Sequence, residues 1–394
     1  MVSKKDIAAV VVSTVLSLVV FELFLEHVAR IKPIPSGWGW AGSPRRILSK
    51  STGDSEANQF GYRGQPIHYD KDDYVVVLLG DSQVESASEP VEKMPERLLE
   101  AELGARMVRK VKAFSLAASG WGQDQQLQAL ERYLQSYRAD LVLVWSTPGN
   151  DFWEDTFVDR SPLVMAGPIK PTYRIEADRL TGPIYPKDFY YGGYALTQLL
   201  GELYGKTQHK SLPQVISDAW KANLPIRPRS PTPACEQYQK LDQQTLLTSE
   251  DKFDLTKKYR LETAEDLLES KTHYAPYMLP QNEMDDYQRR LMALLYARIR
   301  EVASGHGAAM KVFYITKKLP SFEIACIGSE QSGYFAVDRN FDVALSKVVP
   351  SDLLINIPVP GGKEINVSDA DRHLSTIGNE RTMRALAEEL TRAR

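Results

Sequence analysis

Cysteine is nearly missing from this chain: there are two in 394 residues, Cys235 and Cys326. Neither has a second Cys or a His at metal-ligand spacing, which argues against a zinc site. Two cysteines so far apart read either as free core thiols or, in an oxidising compartment, as one disulfide. An excess of either charge is missing too. Forty-eight Lys and Arg stand against 51 Asp and Glu, for a net charge of -3. The basic residues are scattered, with no aromatic–basic alternation, so neither a nucleic-acid footprint nor a stacking platform is present. Long apolar runs are confined to one place near the N-terminus. Histidine is scarce, six in all: His27, His68, His209, His273, His306 and His373. A histidine in a chemically pointed setting therefore stands out.

The one long apolar run is Ile7–Leu25, IAAVVVSTVLSLVVFELFL, whose only ionisable group is Glu22. As a helix it spans about 28 Å, close to the hydrocarbon thickness of a bilayer. A core helix would show a polar stripe, and Ser13, Thr14 and Ser17 are too weak for one. A cleavable signal would end in a small-x-small site, whereas this run ends in FELFLEHVARIK. Residues 1–30 thus read as an uncleaved single-pass anchor. Lys4 and Lys5 before the run, against Arg30 and Lys32 after it, barely favour a cytoplasmic N-terminus. The rest of the chain would then be periplasmic or extracellular.

Residues 31–70, rich in Gly, Pro, Ser and charge, read as a stalk. Residues 71–394 read as one domain with a long insertion at about 155–280. YVVVLLG (74–80), VKAFSLA (111–117) and ADLVLVWST (139–147) are short apolar, β-branched runs, the mark of strands buried on both faces. Helical patterns separate them, at 92–103 and 123–137. Strand, helix, strand, helix, strand predicts a parallel α/β sheet with right-handed crossovers. The period is lost from 155 to 280, apart from a weak helix near 195–205. It returns in an amphipathic helix at 285–307, strands at 310–316 and 352–359, and a last helix at about 377–393.

Three places look chemical, each just past a predicted strand, where parallel sheets form their sites. GDSQVES (80–86) puts Ser82 between a strand end and a helix start, with Gly80 to turn the chain. ASGWGQDQQ (118–126) offers glycines at a strand-to-helix turn, and TPGND (147–151) puts Asn150 at the third. Each alone has a plain explanation: a helix cap by Asp81, Ser82 or Asp151, or ordinary turn chemistry. A fourth piece, DADRHLSTIGNE (369–380), carries His373 in a short loop before a helix, with Asp369 and Asp371 within four residues. A carboxylate beside a His fixes its tautomer and stabilises an imidazolium.

In order and context these segments resemble the conserved blocks of the SGNH hydrolase (GDSL esterase/lipase) superfamily. GDS (80–82) is similar to the nucleophile block, Gly120 to the glycine block, GND (149–151) to the asparagine block, and Asp371 with His373 to the last block. NQFGYRG (58–64) resembles a segment upstream of the nucleophile in membrane-anchored bacterial members. The resemblance implies a three-layer α/β/α sandwich around a central parallel sheet (SGNH/flavodoxin-like). It also implies Ser82, His373 and Asp371 as catalytic residues, and an oxyanion hole from the Ser82 and Gly120 backbone N–H groups with the Asn150 side chain. One departure concerns the acid. The family pattern is usually Asp-x-x-His, but Ala370 stands three before His373, which leaves Asp371 at a spacing of two or Asp369 at four. Asp371 is the preferred assignment.

These readings imply ester hydrolysis with no metal or organic cofactor, on acyl esters such as the acetyl esters of cell-surface glycans. An O-acyltransferase acting on an exported polysaccharide would use the same residues. A non-catalytic binding subunit would have no chemical reason to keep Ser82, Asn150 and His373 together. Aromatic residues such as Trp153, Tyr190 and Tyr191 either stack on sugar rings or fill core, core being the default.

Overall fold

YVVVLLG is apolar at every position, and as a strand it has no face left for water. In the computed structural model Tyr74–Gly80 forms β1, buried along its whole length. The structure describes residues 3–29, 57–159, 169–186, 194–227, 230, 235, 240–242, 268–316, 326–329, 333–337, 345–358, 363–368, 371 and 373–392. In chain order these hold α1 (Lys4–His27), β1, α2 (Ser82–Glu85), α3 (Pro95–Gly104), β2 (Val111–Ala117), α4 (Gln123–Leu134), β3 (Leu141–Trp145) and α5 (Pro148–Glu154). Next come β4 (Thr172–Glu176), β5 (Arg179–Ile184), α6 (Ala195–Thr207), α7 (Leu212–Lys221), β6 (Lys240–Asp242) and β7 (Met278–Leu279). The last are α8 (Glu283–Gly305), β8 (Ala309–Thr316), β9 (Cys326–Ser329), β10 (Gly333–Val337), β11 (Leu354–Pro358) and α9 (Thr376–Arg392).

Five strands make the central sheet, in the order β11-β8-β3-β1-β2, all parallel. Numbered along the chain that is 2-1-3-4-5, the flavodoxin-like doubly wound order. Alternation along β1 separates two cores. Val75, Val77 and Leu79 face Leu127 and Leu130 of α4 and Leu291, Leu295 and Ile299 of α8. Val76 and Leu78 face Leu99 and Leu103 of α3 and Met383 and Leu386 of α9. Each of these buried aliphatic side chains contributes about 1.5–3 kcal/mol through water exclusion. Helices thus cover both faces of the sheet, as expected from the sequence.

Strand register positions the site. Gly80 lies beside Ala117, and Leu79 beside Val144. The loops after β1, β2 and β3 therefore leave the sheet together, at its carboxyl edge.

The described part of the expected stalk, 57–70, packs onto the domain: Tyr62 and Ile67 belong to the core. The side chain of Asn58 holds the segment in place. Its Nδ2 donates to the Ser115 carbonyl of β2 at 3.0 Å, and its Oδ1 accepts from the Phe60 and Tyr62 N–H groups. The insertion contains an antiparallel hairpin, β4–β5, and two helices, α6 and α7. A second, mixed sheet runs β6-β9-β10-β7. Cys235 is buried and disulfide-bonded, and the chain's one other cysteine is Cys326, on β9. The segment α1 is long and apolar enough to cross a membrane. It is capped at Ser3 by a reciprocal pair of hydrogen bonds with Asp6.

Candidate active site

β1 ends at Gly80, where space is tight: a Cβ there would stand 2.3 Å from Val84 Cγ2. The chain turns at once into α2. Asp81 caps it by accepting the Gln83 N–H at 2.8 Å, and Ser86, at φ 45°, closes it after one turn. Ser82 is the first residue of this helix, half-buried at the sheet edge.

From the other end of the chain, the loop before α9 brings His373 and Asp371 to Ser82. His373 Nε2 lies 2.8 Å from Ser82 Oγ. His373 Nδ1 lies 2.5 Å from Asp371 Oδ1. With a carboxylate on Nδ1, the ring proton sits there, and Nε2 is left as the acceptor for the Ser82 hydroxyl. The spacing of two has a local reason. Asp371 Oδ1 also accepts the His373 backbone N–H at 3.0 Å, so one oxygen fixes both the main chain and the ring. Asp371 is itself held by Ser368 Oγ, which accepts its N–H at 2.9 Å. Asp369 lies outside the described residues.

The His373 loop is fastened to the Ser82 turn. Leu374 N–H donates to Gln83 Oε1 at 3.3 Å, and buried Asn379 donates to Ser86 Oγ at 3.0 Å. Lys93 pairs with Glu380 at 2.7 Å.

The other two sequence-selected residues stand at the same edge. Gly120, buried at φ 74°, occupies a left-handed conformation that suits glycine. Asn150, in the first turn of α5, donates from Nδ2 to Asp81 Oδ2 at 3.3 Å. Ser82, His373 with Asp371, Gly120 and Asn150 are thus brought together from four separate stretches.

Sequence reasoning missed the supports. Buried Glu85 accepts both the Ser119 N–H, at 2.6 Å, and the Ser119 hydroxyl, at 2.5 Å, locking the Gly120 turn to α2. Arg63 donates to the carbonyls of Glu85 (3.1 Å), Ser86 and Glu89 (2.5 Å), where α2 ends. Arg63 belongs to NQFGYRG and Glu85 to GDSQVES, so both lay within segments already singled out.

Behind Asn150 is a buried polar cluster. Asp151, unexposed, accepts from Ser146 Oγ (2.6 Å), Thr147 N (2.8 Å) and Gln123 Nε2 (2.9 Å). Burial first, then the charge of Asp81, push its carboxyl up to about 8. Deeper still, Lys170 and Asp124 form an unexposed ion pair at 2.6 Å. Asp155 beside them is pushed well above the usual carboxylate range by burial and by Asp124. Trp153 is buried, edge-on to His273, and so is a core residue. Tyr190 and Tyr191 lie outside the described residues. No group of His, Cys, Asp and Glu able to hold a metal occurs among the described residues.

An imidazole held between a carboxylate and a hydroxyl can withdraw the hydroxyl proton and return it, which is what a serine nucleophile needs. No family model and no curated protein matches this chain. Several solved structures align with it, these two among them. One is the lipase Lip_vut3 from a goat rumen metagenome, at 12% identity and a TM-score of 0.36, covering 80% of this chain and 96% of that one. The other is Est24, a carbohydrate acetylesterase from Sinorhizobium meliloti, at 12% identity and a TM-score of 0.30, covering 82% and 100%. Likeness this slight carries no statement about activity, which rests on the side chains themselves.

Proposed function

We propose that this chain is a membrane-anchored serine hydrolase of the SGNH type that cleaves acyl esters. The observation that carries the reading is the hydrogen-bonded chain from Asp371 through His373 to Ser82. Ser82 Oγ attacks the ester carbonyl while His373 Nε2 takes its proton, and Asp371 stabilises the imidazolium. The Ser82 and Gly120 N–H groups and the Asn150 amide carry the charge of the tetrahedral oxygen. Collapse expels the alcohol, which leaves with the proton from Nε2, and the acyl group stays on Ser82. A water then gives its proton to Nε2 and attacks the acyl carbon. The carboxylic acid departs, and Oγ regains its proton.

Ser82→Ala is expected to abolish both hydrolysis of short p-nitrophenyl esters and labelling by a fluorophosphonate. Asn150→Ala should slow turnover by about 10²–10³ while the label still attaches. Folded wild-type protein that neither takes the label nor cleaves any ester of a two- to eight-carbon acid would refute the reading. Transfer to a glycan hydroxyl would use the same acyl-enzyme, so acetyl release is to be measured with and without an oligosaccharide acceptor. Faster loss of donor with acetylated sugar as product would make the chain a transferase. The disulfide at Cys235 supports an oxidising, exported location for the domain.

A further inference from the structure

Helix α6 has its faces the wrong way round for water. Its buried positions are Ala195, Gln198, Gly201 and Gly205, while Leu200, Leu203 and Tyr204 are 54%, 49% and 56% exposed. The small face is the one that packs inward. A Cβ on Gly205 would stand 3.2 Å from Val215 Cγ2 of α7. In turn α7 is fixed to the body, with Trp220 buried and its Nε1 donating to the Thr156 carbonyl at 2.9 Å. The leucine face of α6 is therefore held outward by the fold. A soluble helix does the reverse.

Its position says what covers it. Glu22, the one ionisable residue within the apolar run Ile7–Leu25, accepts the Ala195 N–H at 2.5 Å and the Leu196 N–H at 3.0 Å. A carboxylate at membrane depth needs such partners. Wherever Glu22 sits in the bilayer, the start of α6 sits beside it. Thirteen residues make a helix of about 20 Å, too short to span a hydrocarbon core of about 30 Å. Exposed Tyr194 stands at one end and exposed Lys206 at the other. Those residue types favour the headgroup level.

We infer that α6 is a second membrane element, lying in the bilayer interface against α1 with Leu200, Leu203 and Tyr204 in the acyl region. This rests on reading α1 as a membrane anchor. Under it, the domain is held in one orientation on the lipid surface.

Power-saturation EPR on the full-length chain tests this, in vesicles of phosphatidylcholine and phosphatidylglycerol. A single cysteine carrying a nitroxide is placed at Leu203 or Tyr204, at Val15 on α1, and at exposed Val108 before β2 as the aqueous reference. Cys235, being disulfide-bonded, stays unlabelled without reductant. The expected result is that labels at 203 and 204 collide with oxygen in preference to a water-soluble nickel chelate, as at 15 and opposite to 108. Nickel access at 203 and 204 equal to that at 108, with 15 still in lipid, would overturn the inference alone. Shielding of 203 and 204 from both reagents would overturn it as well, in favour of a protein cover such as a second copy. An aqueous signature at 15 would sink the anchor reading, and the inference with it.

Discussion

Three donors converge on one oxygen of Asp151, and each favours the carboxylate. Burial outweighs them, because a charge taken from water costs more than three hydrogen bonds return. With its carboxyl pushed up to about 8, Asp151 keeps its proton across neutral pH, whereas in the unfolded chain it loses it near pH 4. The folded state then binds more protons between those values, so this contribution is complete at low pH and is lost as pH rises through about 8. One such proton gives a fall of at most about 1.4 kcal/mol per pH unit. Asp151→Asn keeps an acceptor for Gln123, Thr147 and Ser146 and has no proton to lose. Between pH 5 and 8 the variant's urea midpoint should fall less than the wild type's, and equal slopes would count against a protonated Asp151. None of this is legible in TPGND, where Asp151 passes for a helix cap. Ser82, Gly120, Asn150 and His373 were legible because each sits beside a strand end or helix start that local pattern reveals. Burial of an acid depends on Gln123, Asp81 and Tyr296, which only the fold brings near.

At the level of elements, the turn from β1 into α2 sets Ser82. Gly80 and Val84 share a space that holds one of their side chains. Gly80→Ala would overpack it, at about 1–3 kcal/mol, and would push α2 away from His373. Esterase activity should fall further than the melting temperature suggests. Val84→Ala in the same chain empties the space, so the double variant should regain activity over Gly80→Ala alone, a coupling that a double-mutant cycle measures. Additive losses would remove Gly80 from this role. Sequence patterns at this scale were most readable where burial is total. YVVVLLG, VKAFSLA and LVLVW could be little else than central strands. They failed where the deciding signal is short. The Ser211–Gln214 capping box, with Pro213 in the first turn, announces α7, yet its surroundings, rich in Pro and charge, hide any period. Residues 57–70 carry Tyr62 and Ile67 as buried anchors with Phe60 and Tyr69 packed beside them, but these follow no helix or strand period, and the Gly and Pro among them resemble a linker. What seats them is the side chain of Asn58 reaching β2, a contact no local pattern encodes.

For the whole molecule, topology and redox state bear on each other. Lys4 and Lys5 only weakly favour a cytoplasmic N-terminus, and the apolar length of α1 gives no direction at all. A disulfide supports the export proposed for the domain, because cytosolic thiols are kept reduced. The bond at Cys235 cross-links the insertion. A disulfide of this kind removes about 2–4 kcal/mol of unfolded-state freedom in the chain-entropy picture. Cys235→Ser should therefore lower the melting temperature by several degrees, and dithiothreitol should do the same to the wild type and nothing to the variant. In native membranes, a thiol-alkylating reagent applied under denaturing conditions should leave the Cys235 peptide unmodified until reductant is added, as mass spectrometry would read. Alkylation before reduction would mean that the bond does not form in the cell. The export of the domain would then lose its best support, while the Ser82 site, which does not involve Cys235, would stand.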